Sequence, residues 1–341
     1  MSAPDPAQLP PFLPPTPAGV TRAAELLRTG VVVALPTETV YGLAAHALDE
    51  KAVRQIFSIK GRPLIDPLIV HGLDVDFLSA LAHFTPQARE LAAACWPGPL
   101  TLVLKKCAVV PGLITAGRDT VAVRSPAHPL ARAVLQACGL PLAAPSANPF
   151  GYISPTTAEH VRASFGSKVP WILDGGPCAV GLESTIVDVS NPNKPARLLR
   201  PGPITAESLA QILGQPVHSP DSTSRTDEAR GLAAPGLLTR HYSPRTPVAL
   251  LKPAEPPPAM PSQRCAWVQM CRQNIEPTTP GNTDIFWLSE TGNLPQAAQG
   301  LYALLRQLDD AGYAKIFCEL APATGLGVTL NDRLRRAAGQ G

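Results

Sequence analysis

Two stretches, VVVALPTETVYGLAAHAL (31–48) and IFSIKGRPLIDPLIVH (56–71), carry hydroxyls, a carboxylate, two cations and a histidine where regular elements should end. In PTETVYGL (36–43), Thr37, Glu38, Thr39 and Tyr41 follow an apolar run. Such groups bond in fixed directions and could hold an ammonium or an amino-acid side chain. Equally, Thr37 or Thr39 could cap the segment that follows. Lys60 and Arg62 in IKGRP stand near a helix C-terminus, where the dipole alone favours cations by about 0.3–1 kcal/mol. Gly-Arg-Pro also stiffens the chain and aims a guanidinium, which grips phosphate in a fork, so anion binding is the favoured reading. His71 ends a strand in the same region. Ser146 and Asn148 in PSAN, with Ser154 and Thr156 in SPTTAEHV, suit phosphate oxygens or a nucleobase edge, or else simply form turns. Glu183 and Ser184 precede one strand and Arg200 ends another. The layout is that of a polar small-molecule site at the edge of an open α/β sheet.

The elements that must position these groups follow from periodicity and punctuation. VTRAAELLRTG (20–30) predicts a helix stopped at Gly30, followed by a buried strand from Val31 to Leu35. Asp49 caps EKAVRQIFSIK, whose Val53, Ile56 and Phe57 share a face. PLIVH (67–71), TLVLKK (101–106) and TVAVRSP (120–126) read as strands, the last leaving at Arg124. Helices are expected from Pro86 and over PLARAVLQACG, then a strand running into PSAN, and short strands at WILDGG, STIVDVS and ARLLRPG. Without strict βαβ regularity, the expectation is an α/β fold with a mixed, twisted sheet and flanking helices. Beyond 207 a short helix precedes a polar linker, and strands near 248–251, 266–270, 285–288 and 315–319 alternate with helices in a smaller α/β unit. The expected division is a disordered proline-rich lead (1–17), a first domain (18–206), a linker (207–245) and a C-terminal domain (246–341).

A chain of 341 residues exceeds one ordinary domain. A formal charge of +3 does not by itself call for a polyanion partner. The seven cysteines form no CxxC pair and read as buried free thiols of a reducing, cytoplasmic setting. The N-terminal stretch lacks the pattern of a secretory signal, and no run of about 20 apolar residues would span a membrane. Neither a GxxxxGK[ST] loop, a GxGxxG turn nor a GxSxG elbow is present.

PTETVYGL, KGRPLIDPLIVH, TVAVRSP, PSAN, GLESTIVDV and LLRPGPI, in that order, closely resemble the YrdC-like family of threonylcarbamoyl-AMP synthases over residues 18–206. RHYSP (240–244) and the unit behind it resemble the longer two-domain form, with a Rossmann-like C-terminal domain. The resemblance implies a concave site in which L-threonine, bicarbonate and ATP give threonylcarbamoyl-AMP and pyrophosphate. Magnesium would accompany ATP, and downstream tRNA threonylcarbamoyl-transfer proteins would take the product. It places threonine on Thr39, His71, Arg124, Ala144 and Ser184, and ATP on Lys60, Arg62, Asp66, Thr120, Ser146, Ser154, Arg200 and Tyr242, with Lys60 and Arg62 catalytic. Asp66 stands where the family usually has asparagine. The linker around RHYSP is expected to act as a lid. The alternatives are an RNA-binding module, for which the cations are dispersed and aromatics only 5%, and a carbamoyl-transferring relative, whose CxxC zinc motifs are missing. Direct tRNA contact stays open.

Overall fold

Proline and its preceding cap start three of the longer helices of the first half. Thr16, Thr85 and His128 accept backbone N–H bonds at the heads of α1 (Pro17–Arg28), α4 (Pro86–Cys95) and α6 (Pro129–Cys138). Between α1 and α4 run β1 (Val33–Leu35), β2 (Gly42–His46), α2 (Glu50–Lys60), β3 (Ile69–His71), α3 (Val75–Leu78) and β4 (Ala82–His83). Then come β5 (Leu100–Lys106), α5 (Gly112–Thr115) and β6 (Thr120–Arg124) before α6, and β7 (Leu142–Ala143), α7 (Ala158–Phe165), β8 (Thr185–Asp188), β9 (Arg197–Arg200) and α8 (Ala206–Leu213) after it. The computed structural model describes residues 12–218, 234–235, 241–253, 255–258, 260–272 and 281–340.

The described chain divides into two compact units. The first comprises the described residues of 1–150, 155–179 and 183–237; the second those of 151–154, 180–182 and 238–341. In the first, a nine-stranded mixed sheet runs β1-β2-β7-β3-β6-β5-β8-β9, with β4 on β5. Side-chain alternation along the strands decides which face each residue serves. Ala34, Val70, Leu102, Leu104, Val121, Val123 and Val187 enter the main core with Val53, Ile56 and Leu91 of α2 and α4. On the opposite face, α1 and α6 cover only the β1-β2-β7 end, packing Leu27, Val134 and Leu135 against Val33, Leu35 and Leu142. Beyond them Ile69, Ala122, Val103, Ile186 and Leu199 form a small cluster with Ala234. Among the described residues this part of the sheet is a floor of modest apolar side chains to which no helix contributes.

Two expectations need correction. The lead is not loose to residue 17: Leu13 is buried, its N–H donates to Ile172 at 2.8 Å, and α1 begins at Pro17 because Thr16 caps it. WILDGG does not form a strand. Leu173 and Ile172 make single bridges to Leu13 and Ala34 before Asp174, Gly175 and Gly176 turn the chain, Asp174 accepting from the Gly176 N–H. Of the expected linker and lid, 219–233 and 236–240 lie outside the described residues; α8, the pair Ala234–Pro235 and 241–245, which hold all of RHYSP but its arginine, do not.

The second unit is a parallel four-stranded sheet, ordered β10 (Val248–Leu251), β13 (Lys315–Glu319), β11 (Met260–Gln269), β12 (Gly281–Trp287). Helices α9 (Leu294–Asp310) and α10 (Leu326–Ala337) complete the βαβ character that the Rossmann-like expectation required. Segment 151–154 is held here by α9: Arg306 donates to the carbonyls of Ile153 and Ser154, and Tyr152 donates to Asp309 at 2.7 Å.

Candidate active site

Arg124 leaves β6 buried and already engaged. Its Nη2 reaches Glu38 Oε1 at 2.6 Å and Thr39 Oγ1 at 3.0 Å, while Nε donates to the Gly98 carbonyl. Glu38 takes the Ala127 N–H on its other oxygen. Burial pushes the Glu38 carboxyl up, but the Arg124 charge and hydrogen bonds outweigh it and hold it below the ordinary carboxylate value. Thr37 turns the loop, accepting from the N–H groups of Thr39 and Val40 and meeting the Thr39 hydroxyl at 2.8 Å. Thr37 therefore caps the turn, as one of the two sequence readings expects, and Thr39 faces the Arg124 guanidinium.

His71, at the end of β3 beside β6, shares this corner. Burial first, then the neighbouring Arg124 charge, lowers its pKa from 6.5 to about 3, so the ring is neutral. Its Nδ1 has no hydrogen-bond partner among the described residues. A cavity of about 20 Å³ lies against His71, Thr37, Gly42 and Ala144, walled by Leu35 and Leu135. It has room for one water-sized group, such as a methyl. Because unfolded histidine protonates near 6.5, the stability this neutral ring contributes is full above that pH and lost as pH falls toward about 3. Chemical denaturation at pH 8 and pH 5 should show a loss on the order of 2 kcal/mol that His71→Gln lacks. Equal pH slopes in the two proteins would contradict it.

One strand further along, Thr101 of β5 meets Ser184 Oγ at 2.7 Å. Ser184 is gripped by Arg200, whose Nε and Nη2 donate to its carbonyl at 3.1 and 2.8 Å and whose Nη2 reaches its hydroxyl at 3.2 Å. Gly202 makes the approach possible: a Cβ there would lie 2.3 Å from the Thr185 nitrogen. Arg200 also donates to the Pro235 carbonyl at 3.4 Å.

A second charged group gathers around Asp66. Helix α2 stops at Gly61 in the left-handed conformation, φ 63°, which turns the chain so that Arg62 folds onto residues 66 and 67. Its guanidinium donates to the carbonyls of Asp66 and Pro67 and lies 2.8 Å from the Asp66 carboxylate. Burial raises the Asp66 pKa despite the charges of Arg62, Lys60 and Arg200, which all act on it. Lys60 donates to the carbonyls of Ser146 and Asn148 at 2.5 and 2.6 Å, strapping the PSAN turn; burial foremost, then Arg62, drops its pKa well below the ordinary lysine value.

The structure thus brings Thr39, His71, Arg124 and Ala144 together, joins Ser184 to Arg200 beside them, and groups Lys60, Arg62, Asp66 and the Ser146 backbone. Thr120 stands apart from Arg124 by the length of β6, about 13 Å. It lines a separate cavity of about 370 Å³ with Lys105, Asp188 and Arg197. The β3–β6 register, Ile69 opposite Ala122, nevertheless puts Thr120 at the end where Pro67 enters β3. Ser154 and Tyr242 belong to the second unit; Tyr242 is buried at φ 61° and stacks on Tyr302 with centroids 5.7 Å apart. Sequence reasoning counted Glu38 among the groups of the PTETVYGL turn without giving it a part in either substrate pocket, and it left Thr101 out of the site. A carboxylate between two threonines and a hydroxyl inside the apolar run LTLVL were the available signals.

The profile of the Sua5/YciO/YrdC family, described as Telomere recombination, matches residues 25–202, and that of the threonylcarbamoyl-AMP synthase C-terminal domain matches 204–339. A threonylcarbamoyl-AMP synthase of Pyrococcus abyssi is 41% identical over 323 residues, 93% of each chain. The chain belongs to the threonylcarbamoyl-AMP synthase family. The Bacillus subtilis threonylcarbamoyl-AMP synthase is 40% identical over 94% of this chain and 93% of its own. The crystal structure of P. abyssi Sua5 complexed with L-threonine superposes with a TM-score of 0.85 at 36% identity, covering 96% of this chain and 97% of that one. Membership spans both units and favours nucleotidyl transfer over the RNA-binding and carbamoyl-transfer alternatives. No described helix is long and apolar enough to cross a membrane.

Proposed function

We propose that the Arg124 corner and the Arg62 group are the two halves of the reaction centre of a threonylcarbamoyl-AMP synthase. The observation that carries this is the juxtaposition of Arg124, Thr39 and neutral His71 with the Ser184–Arg200 pair, at the rim of an apolar floor. Threonine's carboxylate would take the Arg124 guanidinium, whose Nη1 has no partner among the described residues, and its methyl would fit the small cavity beside His71 and Ala144. ATP would extend from Arg200 and Ser184 toward Arg62 and Thr120, with Lys60 holding the PSAN turn in place.

The chemistry needs no enzyme-bound nucleophile. Bicarbonate gives up CO2 and hydroxide, the threonine amine adds to the CO2 and loses a proton that leaves with the hydroxide as water, and the carbamate oxygen attacks the α-phosphorus as pyrophosphate leaves. The chain's contribution is then positioning and charge stabilisation by Arg62, Arg200 and Arg124. Among the described residues no three His, Cys, Asp or Glu group as a metal cage. Magnesium would therefore arrive on the ATP phosphates, as this hard cation commonly does. We assign the product to downstream tRNA-transfer proteins and the reaction to the cytoplasm, in keeping with seven free cysteines.

Incubation with ATP, threonine, bicarbonate and magnesium, followed by mass spectrometry, should yield threonylcarbamoyl-AMP and one pyrophosphate per adduct. ATP left intact, or hydrolysed without an adduct, would overturn the assignment.

A further inference from the structure

The Asp66 carboxylate is an anomaly in a buried cluster of cations suited to anions. It has no exposed surface, neither oxygen has an aligned hydrogen bond among the described residues, and its 2.8 Å contact is to the Arg62 guanidinium. A buried carboxylate normally gathers two or three donors. Here the charged groups acting on it are Arg62 and Lys60, from the exit of α2, and Arg200, from β9. Of these, Arg62 and Arg200 are the cations the proposed reaction offers to ATP.

We infer that Asp66 is a resident competitor for the nucleotide: its carboxylate occupies the Arg62 guanidinium until phosphate oxygens take that place. This rests on the ATP reading of the site and deepens it. A phosphate brought to Arg62 meets a second anion within ion-pair distance of the same guanidinium, and like charges at that range repel strongly in a dry pocket. The carboxylate must therefore take up a proton or yield its contact as nucleotide binds. Burial already favours the protonated form. A neutral carboxylic acid could donate to a phosphate oxygen, which the ionised form cannot. Magnesium coordination by Asp66 is the less favoured role, because three cations already converge on it.

The test is calorimetric titration of the full chain with the non-hydrolysable analogue AMP-PNP and magnesium, comparing wild type with Asp66→Asn. Asparagine keeps the shape and removes the charge. The variant should bind about five- to tenfold more tightly at pH 8. Affinity in the wild type should rise as pH falls from 8 to 6 relative to the variant, in which the analogue's own titration is all that remains. Titrations in two buffers of different ionisation enthalpy should show more proton uptake in the wild type. Unchanged or weaker binding by Asp66→Asn, with L-threonine affinity retained as proof of fold, would overturn the inference, and weakening only when magnesium is present would identify a metal ligand instead. Wild-type protein that binds no nucleotide would fail the ATP reading itself, a result distinct from either.

Discussion

Arg124→Ala should raise the KM for L-threonine at least about 100-fold while leaving AMP-PNP binding within a few-fold of wild type. Truncating one partner of a buried, hydrogen-bonded charge pair costs roughly 2–5 kcal/mol, and about 2.7 kcal/mol is already a hundredfold. The substitution has a structural side as well, since it strands the Glu38 carboxylate that Arg124 holds at 2.6 Å. An unpaired buried carboxylate is destabilising in its own right. Arg124→Ala combined with Glu38→Gln removes both charges and separates the two effects. The double variant should regain thermal stability yet remain unable to use threonine at low concentration. Recovery of threonine KM along with stability would mean that Arg124 only braces the loop. Glu38→Gln alone should loosen Arg124 and move threonine affinity, with the fold losing the acid-sensitive contribution of a carboxyl held below its ordinary value. That contribution is present above the unfolded carboxyl pKa and fades as pH falls through the folded one.

Much of this corner was legible as residue types at strand ends. Arg124, His71, Ser184 and Arg200 each finish or precede a strand whose alternation was readable, so the sheet had to gather them. Strand order was not legible. That β5 lies between β6 and β8, and so lets Thr101 touch Ser184, depends on pairings between distant segments that local pattern does not encode. The surroundings of Lys60 were hidden for a related reason. A lysine at a helix C-terminus resembles a free cation, yet here it is buried and spent on two carbonyls of a turn 86 and 88 residues away. The same holds for segment 151–154, which sequence order assigns to the first domain but whose carbonyls are held by Arg306 of α9. WILDGG failed because apolar runs this short pair or turn according to their neighbours.

Arg62→Ala should reduce kcat/KM for ATP by at least about 100-fold, with adenylate formation close to abolished and threonine binding retained. In the proposed reaction the guanidinium meets charge that shifts on the phosphates as pyrophosphate departs, and removing one such preorganised donor typically costs 10²–10³ in rate. Arg62→Lys should recover little, because an ammonium gives a point charge where a planar fork spans the carbonyls of residues 66 and 67 and the carboxylate between them. Loss of structure could mimic loss of catalysis, since the side chain is buried and paired. Arg62→Ala with Asp66→Asn distinguishes the two. If Asp66 only supports Arg62, the neutral double variant folds like wild type and stays inactive. If it competes with nucleotide, the double variant also binds AMP-PNP more tightly than Arg62→Ala alone, because Arg200 then faces the phosphates without a neighbouring anion. Near wild-type adenylate formation in either protein would remove Arg62 from the reaction and, with it, the reason for reading this pocket as the phosphate end of the site.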